Sequence, residues 1–151
     1  MAEFNTTQAA KLVANTKLLP NESAGRVRIL AAKMPATYAS PAISDTIFIG
    51  RIPVNSRILL GGFVSCAAGT ASSTLNIGLR STKTGAVISA TAIASGVDVA
   101  AAGQKAANNG ANIANGAEYV TTEEVDVYAT VAGAAVLANQ ALKFEIPYVT
   151  D

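Results

Sequence analysis

The chain has 151 residues, with 11 Lys and Arg against 10 Asp and Glu, and no His. A near-neutral charge without a basic run disfavours a nucleic-acid partner, the missing imidazole excludes Ser–His–Asp and Cys–His nucleophilic schemes within this chain, and no apolar run reaches the roughly 18 residues of a membrane span. Half of the residues are hydrophobic and 14% are charged, a globular composition, at a length that suits one domain with a core needing neither metal nor disulfide staples.

Residues 1–24 show no strand periodicity. The opening "MAEFNTTQAAKLVANTKLLP" lacks a basic region followed by an apolar one, so it is not read as a secretory signal, and synthesis in a cytoplasm is expected. "TTQAAKLVAN" spells about two helical turns capped by Thr6 or Thr7, and "LLPNES" is polar and broken by Pro20. Phe4, Leu12, Val13, Leu18 and Leu19 are apolar groups with little means of burial in their own segment. They are the expected partner-contact residues of an N-terminal arm. The competing expectation packs the arm as a short helix across an open end of its own domain.

From residue 25 a period of two takes over. "GRVRIL" sets Val27 and Ile29 against Arg26 and Arg28, with the apolar pair expected inside. "TIFIGRI" and "RILLGGFVS" are apolar on both faces and read as strands buried centrally or against a partner, joined by a short turn at Pro53 and Asn55–Ser56. The one cysteine, Cys66, allows no intrachain disulfide and reads as a small buried hydrophobe rather than a reactive thiol. "STLNIGLRS" places Leu75, Ile77 and Leu79 inside and Asn76 and Arg80 outside. "TKTGA" is a hairpin loop, and "AVISATAIA" is a weaker, Ala-rich strand.

The stretch 95–117 reads as a long Ala/Asn-rich loop with at most a short helix. Its evenly spaced Gly96, Gly103 and Gly110 match no cofactor loop, and Asn109–Gly110 and Asn115–Gly116 mark turns. "EVDVYATV" points Val125, Val127, Ala129 and Val131 inward. Glu123, Glu124 and Asp126 read as the solvated face of an edge strand, with a hard-cation site as the alternative. "ALKFEIPYV" repeats the alternation with Leu142, Phe144, Ile146 and Tyr148. Arg26 with Arg28, and Arg51 with Arg57, are expected in surface ion pairs or against a protein partner. Tyr38, Tyr119, Tyr128 and Tyr148 are dispersed, and there is no Trp, so neither a base-stacking nor a sugar-stacking platform is legible. About seven or eight short strands with these breaks predict an all-β sandwich or barrel with under about a quarter helix.

The order of these motifs resembles a family of small tailed-bacteriophage head proteins, the cement or decoration proteins. The resemblance covers residues 24–151. It rests on Gly25, Arg26 and Arg28; on Asp45, Thr46 and Ile47; on Pro53, Arg57, Ile58 and Leu59; on Thr74 through Gly78; and on Tyr148 with Asp151. It implies a jelly-roll-like antiparallel β-sandwich over 25–151, preceded by the arm 1–24, and gives no counterpart for 100–117. It also implies a virion protein on the outer surface of an icosahedral head that bridges neighbouring major capsid protein subunits, assembles with itself as a homodimer or homotrimer, and needs no catalytic residue, cofactor, metal, nucleic acid or membrane. The competing class is a tail-fibre or spike adhesin, or a carbohydrate-binding β-sandwich, which shares the strand pattern but would bring long repeats or clustered aromatics.

Overall fold

The computed structural model describes residues 5–23 and 25–150. Two short helices, α1 (Thr7–Val13) and α2 (Pro20–Ser23), precede nine strands: β1 (Arg26–Lys33), β2 (Thr46–Ile52), β3 (Arg57–Ile58), β4 (Phe63–Cys66), β5 (Thr74–Ser81), β6 (Val87–Asp98), β7 (Gly103–Ala106), β8 (Val125–Ala132) and β9 (Leu142–Thr150). One antiparallel sheet has the order β1-β9-β4-β7, with the short β3 also on β9; the other has the order β2-β8-β5-β6. The chain changes sheet at most connections, and the β5–β6 hairpin through Gly85 (φ 72°) stays within one. Two four-strand paths facing each other with this winding are a jelly roll, as the resemblance implies.

Alternation decides which residues fill the space between the sheets. Leu75, Ile77 and Leu79 of β5 and Val125, Val127, Ala129 and Val131 of β8 face Val64 of β4 and Leu142, Phe144 and Ile146 of β9, and all are essentially buried. Asn76 and Arg80 lie on the opposite face of β5, half-buried.

Several strands depart from the sequence reading. Val27 and Ile29 point outward, 64% and 62% exposed. The reason is register: β9 turns Phe144 and Ile146 inward, and these pair with Ala32 and Leu30 of β1, so the odd-numbered residues of β1 fall outside. β2 is an edge strand rather than a central one. The turn after it carries the chain to the other sheet, where Gly61 and Gly62 separate β3 from β4. That turn has Asn55 at φ 60°, a conformation Asn tolerates. It is fixed by Thr121, whose Oγ1 donates to the Pro53 carbonyl (2.7 Å) and accepts from the Ser56 N–H (2.9 Å).

The supposed loop 95–117 contains the end of β6 and all of β7, which pairs with β4. It then buries Ala107 and Ile113, and its Gly110 N–H donates to the Ile93 carbonyl (2.9 Å). Ala-rich strands carry little hydrophobic contrast, which is why periodicity missed them. β6 also bulges against β5: a Cβ on Gly78 would stand 2.5 Å from the Ser89 carbonyl oxygen, so only glycine lets the two backbones approach.

Ile77→Asp should destabilise the domain by roughly 4 kcal/mol or more, since an unpaired carboxylate replaces a fully buried side chain. Denaturant unfolding measures it, and a variant as stable as wild type would refute the assigned register.

Candidate functional site

The N-terminal segment carries a capped helix. Thr6 Oγ1 accepts from the Ala9 N–H (3.2 Å), and α1 buries none of its side chains. Leu12, Val13 and Leu19 are 64%, 78% and 58% exposed, and Leu18 is half-buried. Phe4 lies outside the described residues. The sequence reading left out α2, which packs on β9 from the outer side of its sheet. There Asn21 is buried and donates its Nδ2 hydrogen to the Asn55 carbonyl (3.1 Å), and the Gly25 N–H donates to the Pro20 carbonyl. Glu22 ties the two helices together by pairing with the Lys11 ammonium and accepting from the Leu19 N–H (2.8 Å). The Lys11 hydrogen bond, then the Leu19 N–H, hold the Glu22 carboxyl below its ordinary range.

The acidic trio has a different environment from either sequence reading. β8 is a central strand between β2 and β5, so Asp126 is not on an edge; it is 8% exposed. Its Oδ1 accepts from Arg51 Nε (2.9 Å) and Thr82 Oγ1 (2.9 Å), and its Oδ2 faces Arg80 Nε (3.4 Å). Burial opposes ionisation, but the Thr82, Arg51 and Arg80 bonds outweigh it and keep the carboxyl below its usual range. Glu123 accepts from Ser81 Oγ (2.7 Å). Among the described residues no three Asp, Glu, Cys or His side chains gather in a metal-holding cluster. Asp126 organises its surface instead. It holds Arg80 with its guanidinium carbon 5.3 Å from the Tyr128 ring centre and 6.0 Å from that of Phe48. Tyr128 is thereby 4% exposed, leaving no open ring face for a sugar, while Phe48 stays 52% exposed.

A third feature escaped the sequence reading. At one end of the β1–β9 ladder, Lys33 and Lys143 stand directly opposite each other. On one side of them lies an open hollow of about 420 Å³ lined by Met34, Cys66, Ala67, Ala141 and Leu142. On the other lies a second, of about 260 Å³, against Ala31 and Ala32. The Cys66 thiol donates to the Ala101 carbonyl (3.3 Å), and burial pushes its pKa up, which makes it a poor nucleophile. Only the β9 register, which the sequence does not print, would have exposed this pair. Of the arginines singled out, Arg51 meets Asp126 and Arg57 meets Glu118 (3.4 Å). Arg26 and Arg28 are exposed and make no ion pair among the described residues.

No protein-family model matches the chain, and no curated protein matches it in sequence. Solved structures do share its fold. A chain of the cyanophage Pam1 capsid asymmetric unit is 17% identical at a TM-score of 0.60, with all of both chains covered. A chain of the capsid of Ralstonia phage GP4 is 17% identical at 0.63, covering 89% of this chain and 92% of that one. One from the acid-stable capsid of Helicobacter pylori bacteriophage KHP30 is 13% identical at 0.50, covering 82% and 87%.

Asp126→Asn should cost about 1–3 kcal/mol at neutral pH, the range for hydrogen bonds to a charged group. Because folding lowers this pKa, its contribution is fully present above the unfolded value of about 3.9 and is lost as pH falls through the folded one. Wild type and variant should therefore converge in stability as pH falls below about 3.9. A gap that stays constant as pH falls would show that the carboxylate's charge does not stabilise the fold.

Proposed function

We propose that this chain is a structural, non-enzymatic protein of a tailed-phage head. It acts as a cement or decoration protein that sits on the outer surface of the shell and bridges neighbouring major capsid protein subunits, assembled with itself as a homodimer or homotrimer. The observation that carries this reading is the end-to-end match of its fold with a chain of a phage capsid, arm and sandwich included. The partner-binding elements of the reading are the arm residues Phe4, Leu12, Val13, Leu18 and Leu19, of which Leu12, Val13 and Leu19 stand exposed on a segment tethered to the sandwich by α2.

The physics of such a role is linkage. A clamp that binds the closed arrangement of subunits and not the separated one stabilises the former. A clamp with two footholds gains effective concentration at the second once the first is made. Keeping such an arm short limits the entropic cost of ordering it on a partner, about 1–2 kcal/mol per fixed residue.

The test uses heads of the encoding phage assembled without this chain. Purified protein should co-sediment with them and raise the temperature at which they release DNA; protein that stays at the top of the gradient would overturn the proposal. Removing residues 1–17 takes away α1 and leaves α2. That variant should keep its Tm within about 3 °C and lose head affinity by about tenfold or more. If it instead fails to fold, the arm belongs to the protein's own core.

A further inference from the structure

β1 closes its sheet on one side only. It pairs with β9, and among the described residues no strand pairs with its other edge, although β2 of the facing sheet packs against it at Gly50 and Leu30. An eight-residue edge strand with exposed apolar side chains is a ready template for another strand. Its two faces are written in different chemistry: Val27 and Ile29 outward, Arg26 and Arg28 on the opposite side, all four exposed. The strand ends at Lys33, which stands opposite Lys143. Like charges in that position repel. Lys143 has Glu145 as partner, whereas Lys33 meets no carboxylate among the described residues. The hollows on either side of this pair are apolar.

We propose that the free edge of β1 receives an extended acidic segment of a shell protein by strand addition. Main-chain hydrogen bonds continue the sheet. Apolar side chains of the added strand lie beside Val27 and Ile29 on one face, and alternate carboxylates meet Arg26 and Arg28 on the other; Lys33, on the Val27 face, adds positive charge at the end of the strand. Charge argues against a second copy as the occupant. β1 carries Arg26, Arg28 and Lys33 and no acidic residue, so two copies edge to edge would gather like charges with nothing between them. The identity of the partner rests on the proposed head role; the chemistry of the segment rests on β1 itself.

The experiment titrates the full chain with a peptide about eight residues long that alternates valine and glutamate, followed by NMR. Shifts should concentrate at the β1 amides. Lysine in place of glutamate should weaken binding by about tenfold or more, Arg26→Glu with Arg28→Glu should reverse that preference, and N-methylation of alternate peptide amides should abolish binding. The double variant should melt like wild type, because both arginines are exposed. Absence of binding by the acidic peptide, equal binding of acidic and basic peptides, or unimpaired binding of the N-methylated one would overturn the inference. On heads, wild type that does not attach refutes the head role. Wild type that attaches alongside an equally well-attached double variant refutes only the use of this edge.

Discussion

The last strand organises one half of the sandwich. β9 is hydrogen-bonded to β1, β3 and β4, so of the strands in its sheet only β7 does not touch it. The pairing runs from Arg26 opposite Thr150 to Lys33 opposite Lys143, which locks the beginning of the domain to its end. The inner face of β9 is fixed by the burial of Leu142, Phe144 and Ile146 against β5 and β8. That choice propagates: Leu30 and Ala32 are drawn inward, Val27 and Ile29 are turned out, and Val149 is presented outward where α2 packs. The exposed face of β1 and the seat of the arm thus follow from the same strand register.

What the sequence disclosed depended on contrast between the faces of each strand. β5, β8 and β9 were legible because their apolar residues alternate with Asn76, Arg80, Asp126 and Lys143, and those are the strands that fill the core. β1 has equally clean alternation, but periodicity separates two faces without telling which one is inside; both faces of β1 carry groups that suit a surface or a partner, and long-range pairing decided. β6 was legible only as the weak Ala-rich run 86–94, and its end and all of β7 were hidden by alanine and glycine, whose small side chains carry little hydrophobic signal. Strand order is not encoded locally at all. Asp126 therefore read as a solvated edge carboxylate, although it lies on a central strand under two guanidinium groups. In the arm, the Thr6 cap and the first helix were readable from "TTQAAKLV", while the docking of Asn21 on the 53–56 turn required the folded domain.

The two sheets divide the work. Their shared interior holds the large buried side chains, whereas the surfaces differ. The outer face of the β2-β8-β5-β6 sheet carries the Arg80–Tyr128–Asp126 network, in which Asp126 and Tyr128 are buried. The β1 side of the other sheet leaves Arg26, Arg28 and Lys33 exposed beside Val27 and Ile29, and the apolar residues of α1 are exposed on the same side of the sequence. Under the proposed head role, these are two footholds separated by a short tether, the arrangement in which each contact raises the effective concentration of the other.

The most direct measurement of the central claim is a cryo-electron-microscopy reconstruction of heads carrying this protein, at a resolution that traces strands. The account predicts the sandwich on the outer surface at a junction between shell subunits, with the β1 edge continued by a strand from one subunit and α1 lying against a neighbour. Density on the inner surface, or a sandwich seated through its β6 or β7 edge with β1 and α1 facing solvent, would contradict it.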